Sequence, residues 1–228
     1  MANDLLASLR GLTDARIALD RTGVSMAACD WLALRAAHAE ARDAVNAPVS
    51  WPAIAPPVNF VRSLCRDRAE YLLRPDLGRR LVDGAILPDG RHEIALIVAD
   101  GLSPLAVMRH APAMVELLRR ELTISPVVLA ELGRVAIGDE IGERLGAKLS
   151  IVLIGERPGL SAADSLGAYL TYSPRVGRTD AERNCISNIR DGGLDYDEGS
   201  RRIVALARAA LDRGLTGVEL KEGDLRLA

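Results

Sequence analysis

Apolar residues occur in continuous runs in the second half of the chain, and these runs predict strands. Residues 93–99 (E-I-A-L-I-V-A) form such a run, as do residues 126–132 and 148–154. Unalternated runs of this length are typical of strands buried on both faces of a parallel sheet. Residues 169–172 and 184–189 are shorter strand candidates. The sequence therefore predicts a sheet of about five strands after residue 93.

Between these runs, apolar residues recur at helical spacing. Ile137, Ile141 and Leu145 lie four apart, which predicts a short amphipathic helix. A longer helical stretch follows Ser103, and we expect Pro112 to interrupt it and to begin a second helical piece. Alternation of strands and helices predicts the α/β class, here a Rossmann-like, mostly parallel open sheet flanked by helices.

The first part of the chain has a different pattern and predicts a helical and extended region. Ser25 is a candidate N-cap for a helix that runs towards Val45, and a second helix is expected over 58–72. Four prolines between these two stretches exclude a regular helix there. We therefore divide the chain into a helical N-terminal region, 1–85, and a Rossmann-like domain, 86–228.

Composition restricts the class of protein. Hydrophobic residues make up 49% of the chain, enough for a sizeable core, and the formal net charge of −2 argues against a nucleic-acid binder. No apolar run approaches the length of a membrane helix, and residues 1–10 lack the pattern of a signal peptide. These features predict a cytoplasmic protein.

Cysteine and histidine spacing offers no metal motif. The chain has three cysteines, an odd number without paired spacing, so neither a disulfide framework nor a zinc motif fits them. Its three histidines are not spaced with cysteine or glutamate as ligands. The G-x-G-x-x-G and G-x-x-x-x-G-K-[ST] phosphate loops are also missing. We expect no protein-held metal and no standard nucleotide loop.

The predicted strands end in loops that suit a ligand site. These loops read D-G-L-S, L-G-R-V, G-E-R-P-G, Y-S-P-R and C-I-S-N-I. In open α/β sheets, ligands bind outside the carboxyl ends of the strands, where glycine lets backbone N–H groups approach them. For any single loop, a tight strand-to-helix turn is the more common explanation of its glycine. Five such loops together favour a ligand crevice.

Individual residues in these loops allow two interpretations. Glu156 either accepts hydrogen bonds from a ligand or is an exposed loop charge, and Cys185 either touches a ligand or packs in the core. The pattern of residues alone gives Val135 no special role, because it is an ordinary apolar residue. Asp100 and Ser103 have no histidine placed to recruit them for catalysis, and we favour Ser103 as a helix N-cap.

Several segments, taken in order, carry a specific resemblance. They are Y-L-L-R-P-D-L-G-R-R-L at 71–81, I-V-A-D-G-L-S at 97–103, G-R-V-A-I-G-D-E-I-G-E-R-L-G-A-K at 133–148, V-L-I-G-E-R-P-G-L at 152–160, Y-S-P-R at 172–175 and N-C-I-S-N-I at 184–189. In this order and spacing the chain resembles the small subunit of ethanolamine ammonia-lyase. The resemblance covers nearly the whole chain, because H-A-E-A-R-D-A-V at 38–45 also takes part.

This resemblance implies a subunit of an adenosylcobalamin-dependent enzyme that converts ethanolamine to acetaldehyde and ammonia. The implied partner is a large subunit, a TIM barrel that holds ethanolamine and supplies the catalytic side chains in a hetero-oligomer. The small subunit implied is inactive alone and binds base-on adenosylcobalamin at the subunit interface. The family's cofactor contacts match Val135, Glu156 and Cys185. No catalytic residue and no metal ligand is expected in this chain, since radical chemistry belongs to the cofactor.

Two other readings stay open at this stage. The chain could be a stand-alone α/β enzyme, which requires a base and nucleophile that we do not find, or a structural interaction module without cobalamin dependence. Arg74, Arg79 and Arg80 form a basic cluster that either faces the large subunit or pairs within the chain. Whether the protein lies free in the cytoplasm or inside a bacterial microcompartment is also left open.

Overall fold

A six-stranded open sheet is the centre of the molecule. The computed structural model describes residues 8–12, 16, 17, 19, 21–221 and 223. Its strands are β1 (Arg21–Thr22), β2 (Ser25–Met26), β3 (Val58–Arg62), β4 (Ile94–Ala99), β5 (Val127–Glu131), β6 (Leu149–Gly155), β7 (Leu166–Tyr172) and β8 (Arg183–Ile189). The main sheet has the order β3-β5-β4-β6-β7-β8, while β1 and β2 form a separate antiparallel pair.

Strands β3, β5, β4 and β6 run parallel, whereas β7 is antiparallel to both β6 and β8. Helices flank this sheet, and they are α1 (Ala28–Asn46), α2 (Arg68–Leu73), α3 (Pro104–Glu121), α4 (Ile137–Arg144) and α5 (Tyr196–Arg213). Single 3₁₀ turns occupy Leu9–Leu12, Leu77–Arg79 and Asp180–Glu182. The predicted α/β class with a mostly parallel open sheet is confirmed.

The central strand β4 explains why its sequence is an unbroken apolar run. Leu96 and Val98 point to one face and pack in a core with α3 and α5. Ile97 and Ala99 point to the other face and pack in a second core with α4. All six residues of β4 are buried, so both faces of the strand require apolar side chains.

The helix ends follow local capping chemistry. Ser103 caps α3, because its Oγ accepts a hydrogen bond from the backbone N–H of Ala106 at 3.2 Å. This confirms the N-cap interpretation of Ser103. Asp195 caps α5 in the same way, and the helix ends at Gly214 with a positive φ of 71°. In the described part of the chain, no helix is long and apolar enough to cross a membrane.

Three sequence expectations about helices are wrong. The helix predicted over 58–72 begins only at Arg68, because residues 58–62 form strand β3 and pair in parallel with β5. Ser25 lies in β2, and α1 begins at Ala28 without a side-chain cap. Pro112 lies inside α3 and does not divide it. Ala111 and Met114 beside it are fully buried, and their packing holds that helix together.

The sheet extends beyond the predicted second domain. Strand β3 comes from residues 1–85 and forms one edge of the sheet, so the sheet has six strands where about five were predicted. The division at residues 85 and 86 stays a prediction. What the structure adds is that the two ranges share one sheet.

Candidate functional site

A cavity of about 480 Å³ opens at the carboxyl ends of β4, β5 and β6. Its lining residues come from the end of β6, from the loops after β4, β5 and β6, from α2 and from β7. They are Tyr71, Leu102, Arg134, Val135, Ile154, Gly155, Glu156, Arg157 and Tyr169. The position agrees with the expectation that ligands of open α/β sheets bind beyond the carboxyl ends of the strands.

The Asp100 side chain connects the loop after β4 to the loop after β5. Its Oδ1 accepts hydrogen bonds from the backbone N–H groups of Gly101 and Gly133, both at 3.0 Å. Arg68 Nη1 lies 3.4 Å from the other carboxylate oxygen. The side chain is almost completely buried, and burial raises the pKa of the Asp100 carboxyl to about 7. Asp100 therefore holds two loops in register and does not itself line the cavity.

The floor of the cavity is backbone packed on backbone. A Cβ atom at Gly101 would lie 2.2 Å from the carbonyl oxygen of Gly155. A Cβ atom at Gly155 would lie 2.1 Å from the carbonyl oxygen of Ser103. Distances this short exclude any side chain at either position. These two glycines are therefore required for the close approach of the loops, which goes beyond making a tight turn.

Two guanidinium groups lie close to the ring of Tyr71, which lines the cavity together with Arg134. The guanidinium carbons of Arg134 and Arg68 lie 4.2 Å and 4.7 Å from the centre of the Tyr71 ring. Tyr71 donates from its hydroxyl to the carbonyl of Gly133 at 3.2 Å, and Arg134 Nη2 donates to the Tyr71 carbonyl at 3.0 Å. Burial raises the pKa of the Tyr71 hydroxyl. Helix α2 is thereby attached to the loop after β5.

Glu156 forms the polar part of the opposite wall. It follows β6, is partly buried, and holds the carboxylate that lines the cavity. Glu156 Oε2 accepts a short hydrogen bond from Ser165 Oγ and one of 3.2 Å from the backbone N–H of Asn188. The carboxylate is therefore fixed by groups from β8 and from the residue before β7.

Cys185 lies next to the cavity. It pairs with Tyr169 across β7 and β8. Cys185 lies on the edge strand β8 and is classed as exposed. Partial burial of its sulfur nevertheless raises the pKa of the thiol. Since Tyr169 lines the cavity, Cys185 is connected to that site through one side chain.

The structure thus brings together the three candidate residues, with Val135 and Glu156 in the cavity and Cys185 beside it. It separates others. The Y-S-P-R loop lies at the opposite edge of the sheet, because β7 runs antiparallel and Tyr172 pairs with Leu149 at the start of β6. The expectation that this loop lies at the ligand site is therefore wrong.

In the part of the chain that the structure describes, no three His, Cys, Asp or Glu side chains are grouped to hold a metal ion.

Sequence reasoning missed several residues of the site. Tyr71, Arg134 and Tyr169 line the cavity, yet each entered the sequence analysis only inside a motif or a strand. Tyr71 and Arg134 lie in segments of the resemblance, and that was the available signal. Tyr169 is the first residue of the predicted strand 169–172. It could have been assigned to the cavity once that strand was known to run antiparallel to β6, because its start then lies nearer the carboxyl end of β6 than its end does.

A mostly parallel open sheet flanked by helices, with a cavity at the carboxyl ends of its parallel strands, defines a protein of the α/β class. Comparison with known proteins gives the particular family. A family model described as ethanolamine ammonia-lyase light chain (EutC) matches residues 3–221. This chain belongs to the ethanolamine ammonia-lyase light-chain family.

Curated relatives of similar length agree with the family model. Ethanolamine ammonia-lyase small subunits of Pseudomonas aeruginosa (strain LESB58) and Azotobacter vinelandii (strain DJ / ATCC BAA-1303) are 49% and 48% identical to this chain. The matches cover 94% of this chain and 86% and 87% of those relatives. The Xanthomonas campestris pv. campestris small subunit is 50% identical over 96% of this chain and 88% of its own length.

Proposed function

We propose that this small subunit binds adenosylcobalamin in the base-on form at the cavity, and that a large catalytic subunit covers the other side of the cofactor. The observation that carries the proposal is that the residues selected by the family resemblance lie in or beside the same cavity. Val135 and Glu156, which the family resemblance selects, line the same cavity, and Cys185 pairs across the strands with Tyr169 of its lining.

The residues present fit one face of a corrin. Val135, Leu102 and Ile154 give the cavity apolar surface for the macrocycle, and Glu156 offers a carboxylate to the N–H groups of its peripheral amides. A volume of about 480 Å³ is too small to enclose the cofactor, which leaves one side of it for the large subunit to cover in this proposal. Base-on cobalamin already carries its own axial base, so it needs no histidine from this cavity.

When bound, adenosylcobalamin supplies the radical chemistry of the reaction. The proposal gives this chain the tasks of binding the corrin, orienting its amides and excluding water from one face. Glu156, the carboxylate among the residues that line the cavity, already accepts two hydrogen bonds from the chain itself. We therefore place ethanolamine and its catalytic side chains in the large subunit, a TIM barrel in this proposal, and expect no activity from the small subunit alone.

Replacing Glu156 tests the proposal. In the complex with the large subunit, Glu156→Ala should weaken adenosylcobalamin binding about ten- to a hundredfold, since a charge-assisted hydrogen bond contributes roughly 1.5–3 kcal/mol. Glu116→Ala, an exposed position on α3 that pairs with Arg120, is the matched control. Equilibrium dialysis of the cofactor against both complexes measures the dissociation constants.

Two results would contradict the proposal. One is an unchanged dissociation constant in the Glu156→Ala complex, which would remove Glu156 from the cofactor site. The other is ammonia release from ethanolamine by the purified small subunit with adenosylcobalamin and no large subunit. That result would favour a stand-alone enzyme.

A further inference from the structure

Glu156 lies in a socket that β7 and β8 build around its carboxylate. The backbone N–H of Glu156 donates to the carbonyl of Ser165 at 2.9 Å, which closes the base of the loop between β6 and β7. Ser165 then returns a hydrogen bond from its Oγ to Glu156 Oε2. Because Ser165 is only 7% exposed, water competes little for this contact.

The second donor of the socket comes from β8. The backbone N–H of Asn188 donates to Glu156 Oε2 at 3.2 Å. Asn188 has a positive φ of 63°, a conformation that asparagine tolerates better than most residues. Both donors reach the same oxygen, and within the described residues no hydrogen bond is made to Oε1. The carboxylate is therefore fixed through one oxygen while the other stays available.

Gly167 makes room for the available oxygen. A Cβ atom at this position would lie 2.8 Å from Glu156 Oε1 and 3.1 Å from its Cγ. Any side chain at residue 167 would push the carboxylate out of its place. Gly167 lies opposite Ile154 of β6, where the pairing of β7 with β8 shifts register between Leu166 and Ala168.

We propose that Ser165, Gly167 and the Asn188 backbone are positioning groups that aim Glu156 Oε1 into the cavity, towards an amide N–H of the bound cofactor. The inference rests on the proposed cofactor role of Glu156 and adds how its carboxylate is oriented. Ser165 and Gly167 act through Glu156 and make no contact with the ligand themselves.

The test uses the complex with the large subunit and variants of two socket residues. Ser165→Ala removes one donor and should weaken adenosylcobalamin binding by about two- to tenfold, the range for loss of one hydrogen bond. Gly167→Ala should weaken it as well, by crowding Oε1. Ser161→Ala and Gly159→Ala are matched controls in the same loop, because Ser161 is exposed and a Cβ at Gly159 meets only ordinary contacts, the nearest at 3.5 Å. Both controls should bind like the parent.

A double-mutant cycle separates positioning from other effects. In a Glu156→Ala background, Ser165→Ala should cause no further weakening, because the residue it orients is gone. Equal weakening in both backgrounds would overturn the positioning role. Crystal structures of the parent, Ser165→Ala and Gly167→Ala complexes give a readout that is independent of binding, and the Glu156 carboxylate should be displaced in both variants.

The outcomes also distinguish this inference from the proposed function. A carboxylate that stays in place in both Ser165→Ala and Gly167→Ala overturns the socket, whatever the binding data show. A carboxylate that moves, in a protein whose cofactor binding is indifferent to Glu156→Ala, supports the socket and contradicts the cofactor role of Glu156.

Discussion

Arg183 and Asp139 form a buried ion pair with two hydrogen bonds, the Nη2 to Oδ2 bond measuring 2.7 Å. Both side chains are 2% exposed. The pair connects β8 to α4 on the side of the sheet where the second core lies, and Thr171 Oγ1 accepts another bond from Arg183 at 2.9 Å. Removal of Asp139 would leave the buried Arg183 with only the exposed Asp180 carboxylate, 3.4 Å from its Nε, as an ionic partner.

We predict that Asp139→Ala lowers the free energy of unfolding by about 3–5 kcal/mol, the usual cost of breaking a buried pair. Glu116→Ala, in an exposed pair, should change it by less than about 1 kcal/mol. Urea unfolding followed by circular dichroism measures both. Replacing both partners by Leu and Met should be less harmful than Asp139→Ala alone. Equal effects of the two single substitutions would show that the buried pair is not important for stability.

Asp100 gives stability a dependence on pH. Burial raises the pKa of its carboxyl from 3.8 to about 7, so the folded protein keeps this proton to a higher pH than the unfolded chain. The contribution of the protonated Asp100 carboxyl to the free energy of unfolding is therefore complete below pH 3.8, and it is lost as the pH rises through about 7. Asp100→Asn, which keeps an acceptor for the two N–H groups, should remove a slope of up to about 1.4 kcal/mol per pH unit.

Unfolding measured across this pH interval checks the prediction. The exposed Asp212→Asn variant should follow the parent curve and serves as the control. Parallel curves for the parent and Asp100→Asn would mean that the Asp100 carboxyl titrates alike in the folded and unfolded states.

The glycine floor of the cavity is expected to tolerate no side chain. Gly101 and Gly84 both have positive φ values, 61° and 75°, but a Cβ at Gly84 meets nothing within 4 Å. Gly84→Ala should therefore cost only the strain of a left-handed backbone, about 1–2 kcal/mol. Gly101→Ala adds a clash with the Gly155 carbonyl and should cost more. Thermal unfolding of the two variants compares these costs, and equal losses would contradict the packing described for the floor.

The basic cluster separates into residues with and without partners. Arg80 Nε lies 2.9 Å from Glu140 Oε2 and Arg74 pairs with Asp76, so pairing within the chain explains these two. The Arg79 side chain is exposed, and within the described residues it makes no hydrogen bond or ion pair. Arg79 remains the candidate for contact with the large subunit.

We predict that Arg79→Ala weakens association with the large subunit by about two- to fivefold, equivalent to about 0.5–1 kcal/mol for an exposed charge contact. The loss should shrink at high salt, since salt screens exposed charges. Surface plasmon resonance at low and high ionic strength measures it. Arg74→Ala is the control, as its charge is already paired. An Arg79→Ala variant that binds like the parent at low salt would remove the interface role.

The parallel part of the fold was predictable because burial on both faces leaves its mark in the sequence. The runs that became β4, β5 and β6 are apolar at nearly every position, as a strand buried on both faces requires. Strand β3 was missed because it is an edge strand, in which Phe60 is exposed and Asn59 is polar. Its pattern does not differ from that of a helix until its pairing with β5 is known.

The site was predictable only in part, and for a different reason. Val135, Glu156 and Cys185 came from the family resemblance, and the structure brings them near one cavity. Tyr71 could not be assigned to that cavity from spacing, since 62 residues separate it from Gly133, which accepts its hydrogen bond. The direction of β7 was equally hidden, because apolar content does not tell whether a strand runs parallel or antiparallel.

The backbone floor of the cavity limits how the shape of the cavity could be altered by single substitutions. Where Gly101 and Gly155 meet, the contacting atoms are carbonyls and amides that every amino acid shares. Replacement of side chains can thus reshape the rim, at Val135, Arg157 or Tyr169, without touching the base. A new ligand of different depth would need a loop of different length. Substitutions intended to reshape the cavity should accordingly vary the rim and leave both strand-end turns intact.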